Sequence, residues 1–338
     1  MLDQIPQRLY PVHIDRKSGF IDAHGSVVVA ARFDMAGPFH DGLAQVGDLD
    51  PDGTPAVPGI VKRRVGFINT AGDMVTPLCF DYARDFSEGR AAVMVGKKWG
   101  FIDRNGVVVI KPQYDAAWAF TEGIAPVKKG RLYRMIDPAG EVLFEKAATA
   151  IGQCRSGLIP CLAKSMWSYL DRTGATAFQL ACRAAGEFSE GMASFLAKDR
   201  SRSLGYIDTT GTVVISPQFA QAGDFHEGLA VVDVFNAGQG KQDFTKPQQF
   251  GLINREGSLA VPAMFRSADR FSEGLAAVRT SEESMYGYID TAGQIVISPI
   301  ACRLALPFTD GLARIQGPHG EEVGYINRRG EFVWPMRT

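Results

Sequence analysis

The sequence has no long apolar run, no excess of charge and no paired-cysteine motif. Its 36 basic residues oppose 37 acidic ones, which gives a net charge of −1 over 338 residues. That balance argues against nucleic acid as a partner of the whole surface, although local patches stay possible. No apolar stretch approaches the roughly 20 residues that cross a bilayer, and the N-terminus lacks a signal-peptide pattern. We therefore expect a cytoplasmic protein with no membrane partner.

Residues with catalytic or metal-binding chemistry are also scarce. The five cysteines are an odd number without a C-x-x-C pair, which favours reduced thiols over a disulfide framework. The histidines show neither metal-ligand spacing nor a neighbouring nucleophile motif: His13, His24, His40, His226 and His319. The sequence contains no phosphate-binding glycine loop and no G-x-S-x-G elbow. We expect no enzymatic activity, no catalytic residue, no metal and no cofactor.

What the chain has in quantity is a short motif: an acid or amide, two free positions and a glycine. In Asp103-Arg104-Asn105-Gly106 it separates two apolar runs, and these residue types favour a type I turn closed by a left-handed glycine. Nine copies lie 47, 34, 34, 34, 37, 46, 36 and 37 residues apart. The copies are 22–25, 69–72, 103–106, 137–140, 171–174, 208–211, 254–257, 290–293 and 327–330.

A second motif follows the first: an aromatic, a free position, an acid and a glycine. Its copies are Phe39/Asp41/Gly42, Phe86/Glu88/Gly89, Phe120/Glu122/Gly123, Phe188/Glu190/Gly191, Phe225/Glu227/Gly228, Phe271/Glu273/Gly274 and Phe308/Asp310/Gly311. The turn residue precedes the second glycine by 20 residues, except in the last copy, where the spacing is 21. Self-similarity at this period indicates a solenoid, a propeller or a related array.

Each repeat predicts three short strands, as in Gly89–Val95, Trp99–Asp103 and Val107–Ile110. The last strand should end before Pro112, because proline cannot donate to a strand ladder. We predict an all-β protein in which residues 1–338 form one array of nine three-stranded antiparallel units. Nine units exceed the usual propeller count, so we expect an open, curved solenoid, with a closed propeller-like ring as the alternative.

The repeated acids favour structural roles over a ladder of metal ligands. Asparagine takes three of the nine turn positions, which keeps the acceptor and removes the charge. We expect the second-motif acids to do similar local work before their glycines. A separate segment, Asp48-Leu49-Asp50-Pro51-Asp52-Gly53, resembles the start of a calcium loop, but Gly59 stands where the bidentate glutamate belongs. A solvated turn is the preferred interpretation there, with calcium left open.

The segment Lys98-Trp99-Gly100-Phe101-Ile102-Asp103, with the trailing Phe120-Thr121-Glu122-Gly123, resembles the bacterial WG (KWG-type) repeat. The resemblance spans about residues 9 to 335. It implies a β-rich tandem-repeat protein that binds other molecules, and it supplies no catalytic residues. Only one copy keeps a tryptophan in front of the glycine, which favours a packing role for that ring.

Length variation is confined to the loop between the first and second predicted strands, and we call these loops together the loop rim. Two of them are long, Gly47 to Val65 and Asn236 to Phe250. In repeat arrays such insertions often mark the binding face. The same loops carry clustered basic residues: Lys62, Arg63, Arg64, Lys97, Lys98, Lys128, Lys129, Arg131, Lys198, Arg200 and Arg202. These are the candidate binding residues, although charged hairpin tips also keep strand edges soluble.

Function is expected to be recognition. We predict a non-enzymatic scaffold that binds a protein or another macromolecule through the loop rim, with an anionic ligand possible at its basic residues. The alternative is a carbohydrate or cell-surface ligand bound by exposed aromatics such as Trp99, Trp118 and Trp167.

Overall fold

The protein was analysed as a computed structural model, which describes residues 8–49, 63–199, 202–234, 248–280, 285–317 and 323–337. Within these ranges every regular element is a β-strand, and no helix is present that could span a membrane. The strands form nine antiparallel sheets, one of three strands and eight of four. The chain divides into two compact units, an N-terminal unit (Met1–Cys154) and a C-terminal unit (Arg155–Thr338).

The N-terminal unit contains sheets 1 to 4 and one further short strand. Sheet 1 is β1 (Tyr10–Ile14), β2 (Lys17–Ile21) and β3 (Val27–Phe33). Sheet 2 is β4 (Met35–His40), β5 (Leu43–Leu49), β6 (Arg63–Asn69) and β7 (Met74–Phe80). Sheet 3 is β8 (Tyr82–Ala83), β9 (Arg90–Val95), β10 (Lys98–Asp103) and β11 (Val108–Tyr114). Sheet 4 is β12 (Ala116–Ala117), β13 (Ala125–Lys129), β14 (Leu132–Ile136) and β15 (Val142–Lys146), and β16 (Ala150–Ile151) follows.

The C-terminal unit contains the remaining strands in the same serial order. Within this unit, sheet 5 consists of β17 (Ile159–Ala163), β18 (Met166–Leu170) and β19 (Thr176–Leu180). Sheet 6 is β20 (Cys182–Ala185), β21 (Met192–Ala197), β22 (Leu204–Asp208) and β23 (Val213–Phe219). Sheet 7 is β24 (Gln221–Ala222), β25 (Ala230–Asp233), β26 (Phe250–Ile253) and β27 (Leu259–Phe265). Sheet 8 is β28 (Ser267–Ala268), β29 (Ala276–Arg279), β30 (Met285–Ile289) and β31 (Ile295–Ala301). Sheet 9 is β32 (Leu304–Ala305), β33 (Leu312–Gln316), β34 (Val323–Asn327) and β35 (Phe332–Arg337).

The prediction of three strands per repeat is wrong, because the connector contributes a fourth. In sheet 4 the two-residue strand β12 pairs Ala116 with Lys128 and Ala117 with Val127. A strand of two residues is too short to show an alternating pattern in the sequence, so only the structure reveals it.

The predicted strand end before Pro112 is also wrong, because β11 continues to Tyr114 through a bulge. Trp99 pairs with Tyr114 and Phe101 with Ile110, so the residues around Pro112 bulge out of the ladder and need no amide donor. The bulge brings the backbone of β11 close to Gly100, where an added Cβ would lie 2.4 Å from the Ile110 carbonyl oxygen. The glycine of the Trp-Gly pair is therefore required by close backbone approach.

Two repeats lack this glycine, and their strands pair differently. In sheet 4, Arg134 stands at the glycine position and pairs directly with Glu145, with Tyr133 opposite Lys146 and Met135 opposite Phe144. In sheet 5, Ser168 pairs directly with Gln179. A regular ladder leaves room for a side chain at this position, which explains how these repeats diverged in sequence yet kept their length.

The predicted hairpin turns are confirmed. In sheet 3, Asp103 Oδ1 accepts hydrogen bonds from the amides of Asn105 and Val107, both at 2.9 Å. The Gly106 amide donates to the Asp103 carbonyl at 3.0 Å, and Gly106 has φ 78. Each turn acid thus caps its own hairpin.

The hydrophobic core is a series of clusters between neighbouring sheets. One cluster joins Phe101, Ile110 and Tyr114 of sheet 3 to Phe120 and Val127 of sheet 4. The rings of Phe101 and Phe120 meet edge to face with centroids 5.0 Å apart. The aromatic of the second motif therefore packs on the preceding sheet, and Tyr114 belongs to the same cluster.

Candidate functional site

The connectors between sheets lie on the same side as the hairpin loops of the loop rim. Asp115, in the connector before β12, accepts a hydrogen bond from Lys98 Nζ at 2.5 Å with one oxygen. Its other oxygen accepts from the Gly130 amide at 2.6 Å. Lys98 belongs to the loop end of sheet 3, and Gly130 to the hairpin turn of sheet 4. One carboxylate thus joins two neighbouring loops of the rim.

The same arrangement recurs at the two preceding junctions. Asp81 accepts from Arg64 Nη1 at 2.9 Å and from the Gly96 amide at 2.7 Å. Asp34 accepts from Lys17 Nζ at 2.7 Å and from the Leu49 amide at 2.8 Å. These acids follow the buried aromatics Phe33, Phe80 and Tyr114 directly in the sequence. That recurring position was the available signal, and the sequence analysis missed it.

These contacts change the electrostatics of the rim. The hydrogen bond from Lys98 lowers the pKa of the Asp115 carboxyl, and the Gly130 amide acts in the same direction. The partner Asp34 raises the pKa of Lys17. Both shifts favour the charged forms of Asp115 and Lys17. Arg64 and Lys98 are each matched by an aspartate in an ion pair, so they bring no unmatched charge to the rim.

Four candidate residues in the N-terminal unit do bring unmatched positive charge. Lys97, Lys128, Lys129 and Arg131 form no ion pair with any described residue. Lys128 Nζ lies 5.2 Å from the centroid of the Tyr133 ring, and Lys129 Nζ donates to Gln113 at 3.0 Å. Lys97, Lys129 and Arg131 are exposed. We call these four residues the basic patch of sheets 3 and 4.

The remaining candidates are scattered. Lys198 is exposed, and its carbonyl accepts from Arg183 Nε at 3.5 Å. Arg202 is exposed with φ 53. Arg63 begins β6, while Lys62 and Arg200 lie outside the described residues. In the C-terminal unit the connector aspartate is replaced, by Arg183, Ala220, Arg266 and Arg303. The acid-mediated link between loops is therefore a feature of the N-terminal unit.

At the other end of the strands, the second-motif acids join sheets. Glu88 accepts from the amides of Glu122 and Gly123 at 2.7 and 2.8 Å. Glu190 does the same for Glu227 and Gly228, at 2.7 and 2.9 Å. The expectation of purely local work is wrong, because each carboxylate holds the equivalent turn of the next sheet. The structural role of these acids is confirmed. Their hydrogen bonds hold the second-motif turns in place at this end of the strands, whereas the loops of the rim vary in length.

The other candidate chemistry does not converge. No group of three potential metal ligands occurs in the ranges that the structure describes. His40 is exposed, whereas His226 is half-buried, and His319 lies outside the described residues. Of the suggested calcium segment, Asp48 Oδ1 accepts from the Asp34 amide at 2.8 Å, and residues 50–53 lie outside the described part. Cys154, Cys161 and Cys182 are buried, and burial raises the pKa of the Cys182 thiol to about 11.

The three tryptophans proposed as exposed aromatics, Trp99, Trp118 and Trp167, are half-buried. Trp99 packs edge to face on Tyr82 with centroids 5.6 Å apart, and the Arg84 guanidinium carbon lies 5.3 Å from its ring centroid. Trp118 lies 6.0 Å from Tyr133, and Trp167 Nε1 donates to the Arg183 carbonyl at 3.1 Å. Tyr82 is 53% exposed, so the most accessible ring of this group is a tyrosine.

Comparison with solved structures defines the class of protein. A crystal structure of the eukaryotic initiation factor is similar over 96% of this chain and 95% of that chain, with a TM-score of 0.66 at 9% identity. Dihydro-heme d1 dehydrogenase NirN matches with a TM-score of 0.48 and 11% identity, over 88% and 74% of the two chains. Hsv2 from Kluyvelomyces marxianus matches with 0.44 and 8%, over 74% and 94%.

The first of these similarities assigns the fold. The nine sheets, eight of four strands and one of three, are the blades of a β-propeller. This is the closed propeller-like ring that the sequence analysis gave as its alternative, and the predicted open solenoid is not found. The error came from treating nine units as too many for a propeller and from counting three strands per repeat. Four strands per unit is the usual number for a propeller blade.

Sequence comparison defines the family. The sequence profile of the WG containing repeat matches residues 19–47, 66–99, 99–133, 205–234, 250–282 and 286–316, which together cover more than half of the chain. This protein therefore belongs to the WG-repeat family, as the resemblance implied. No significant match was found among curated proteins.

Proposed function

We propose that this protein is a non-enzymatic scaffold that binds a protein partner through the loop rim, with an acidic segment of the partner seated on the basic patch of sheets 3 and 4. The observation that carries the proposal is the unmatched charge of Lys97, Lys128, Lys129 and Arg131 on neighbouring loops. At the opposite strand ends, side chains are used to join sheets, which leaves the rim as the variable surface.

The fold and the family support this proposal at a coarse level. Repeat arrays display varied loops on a common frame, which suits recognition of macromolecules. Aromatic rings beside cations, as at Trp99 with Arg84 and Tyr133 with Lys128, are frequent in protein-binding surfaces. Matched pairs such as Lys98 with Asp115 contribute little attraction, so the four unmatched cations carry the electrostatic part.

The test uses a fluorescein-labelled oligo-glutamate peptide as the probe. Binding by the full chain should weaken at least tenfold when Lys97, Lys128, Lys129 and Arg131 are all changed to glutamate, and the effect should be larger at low salt. The matched control changes Lys17, Arg64 and Lys98 to glutamine, since these cations are already paired. Equal affinity in both variants would contradict the proposal.

A second function is favoured by the exposed ring of Tyr82 against Trp99. Aromatic faces of this kind stack on sugars, so a glycan array should be run beside the peptide assay. Glycan binding that is lost in Tyr82→Ala, with unchanged oligo-glutamate binding, would favour a carbohydrate ligand. Turnover of a substrate by the purified chain would overturn the non-enzymatic assignment.

A further inference from the structure

Neighbouring sheets of the C-terminal unit are joined by buried tyrosine hydroxyls. Tyr169 of sheet 5 donates to the Gly186 carbonyl of sheet 6 at 2.7 Å. Tyr206 of sheet 6 donates to Gly223 of sheet 7 at 2.7 Å, and Tyr288 of sheet 8 donates to Leu306 of sheet 9 at 2.8 Å. Between sheets 7 and 8 the equivalent residue is Leu252, which has no hydroxyl to donate.

A second link is also missing between sheets 7 and 8. Ser189 donates to the Phe225 carbonyl and Ser272 to the Phe308 carbonyl, both at 2.7 Å, and each bond joins two sheets. The equivalent residue in sheet 7 is His226, for which the structure shows no such bond. The Glu227 carboxylate still accepts from the Gly274 amide at 2.9 Å, so the sheets stay joined at the strand ends opposite the rim.

A cleft of about 360 Å³ lies at this junction. Its walls include the half-buried Phe250 and Val231, and His226 and Arg270 also line it. Asp224 and Asp269, in the connectors of sheets 7 and 8, both line this cleft. Asp269 Oδ1 accepts from the Arg270 amide at 2.7 Å, and neither carboxylate has a cationic partner among the described residues.

We propose that this cleft binds a lysine or arginine side chain of a protein partner. The two carboxylates receive the cationic head group, and Phe250 with Val231 covers its apolar stem. The junction lacks the tyrosine and serine hydrogen bonds that join sheets 6 and 7, and the cleft lies at the same junction. Arg270 also lines the cleft, and its positive charge repels a second cation. The cleft therefore accepts a single lysine or arginine head group. This inference rests on the proposed function, since it assigns the cation to a protein partner.

The test is a titration of the full chain with blocked amino acids, followed by methyl NMR at Ala222, Val231 and Ala268. The probes are Nα-acetyl-lysine methylamide and Nα-acetyl-arginine methylamide. Their neutral counterparts, the norleucine and citrulline amides, are the matched controls. The cationic probes should give saturable shifts at these methyl groups, and the neutral amides should bind at least tenfold more weakly.

Variants separate the site from its surroundings. Asp224→Asn with Asp269→Asn should weaken the cationic probes at least tenfold, and Arg270→Gln should strengthen them a few-fold. All three substitutions are at solvent-accessible positions, and an unchanged unfolding midpoint verifies the fold. Absence of shifts, equal binding of the neutral amides, or binding of Nα-acetyl-glutamate methylamide through Arg270 would overturn the proposal. The oligo-glutamate assay depends on the other unit, so either result can fail without the other.

Discussion

At the residue scale, the glycine of the Trp-Gly pair, Gly100, is required because the neighbouring backbone leaves no room for a Cβ atom. An added Cβ at Gly100 would meet the Ile110 carbonyl oxygen at 2.4 Å and the Pro112 nitrogen at 2.6 Å. Gly205 makes the same approach to Ile215 and Pro217, at 2.4 and 2.7 Å. Both contacts are with backbone atoms, which cannot turn aside as a flexible side chain can.

Gly100→Ala should therefore destabilise the protein by about 1–3 kcal/mol, because the bulged strand must shift to admit a methyl group. Ser168→Ala is the matched control, since a side chain already stands at that position in a regular ladder. We expect it to change stability by less than about 0.5 kcal/mol. The measurement is the urea midpoint of each variant, and equal midpoints would contradict the bulge explanation.

At the element scale, second-motif carboxylates join neighbouring sheets by accepting hydrogen bonds from the amides of the next turn, as a capping residue does. Glu190 accepts hydrogen bonds from two amides of sheet 7, and it forms an ion pair with Arg255, whose Nη2 lies 3.1 Å from Glu190 Oε2. Burial acts to raise the pKa of this carboxyl, but the Gly228 amide and the Arg255 guanidinium outweigh it and hold the pKa below its ordinary value of 4.5. The charged form is thus the one that joins the sheets.

A folded-state pKa below the unfolded one gives stability that is present above about pH 4.5 and is lost as the pH falls through the folded-state value. Glu190→Gln should remove about 1 kcal/mol near neutral pH, a figure lowered by the partial exposure of the side chain. The variant should also show a shallower loss of stability between about pH 5 and pH 3. Urea unfolding across that range measures it, and the exposed Glu256→Gln should keep the slope of the original protein.

At the scale of the whole molecule, the blades share a frame and differ in the rim loops. The ladder of sheet 2 pairs Leu49 with Arg63, so a two-residue turn could connect them, just as Gly96-Lys97 connects Val95 to Lys98 in sheet 3. The sequence predicts that the long loop between them contributes to recognition and not to folding.

Replacing residues 50–62 by Gly-Lys should leave the thermal midpoint within about 3 °C of the original, because the ladder pair Leu49–Arg63 is kept. A longer excision that also removes Leu49 and Arg63 takes a ladder pair away and should lower the midpoint further. Differential scanning calorimetry of both variants distinguishes them. A large loss from the shorter excision alone would show that the loop supports the fold.

The sequence by itself determined the features that depend on neighbouring residues. The nine hairpins could be predicted because Asp103 and Gly106 act within five residues of chain, where side-chain chemistry alone selects the turn. The repeat count and the all-β class followed from spacing and from the WG resemblance. The variable loops were located in the same way, because fixed spacing left only one place for extra residues.

The tertiary structure decided everything that depends on residues far apart in the chain. Glu88 meets Glu122 and Asp81 meets Gly96 and Arg64 only because the sheets pack side by side, and no local pattern states which acid faces which amide. The two-residue strands, the pairing of rim charges and the cleft between sheets 7 and 8 arise in the same way. The side chains of a turn select its conformation locally. The contacts between two neighbouring sheets depend instead on how the sheets are placed against each other, and that placement is set by tertiary packing.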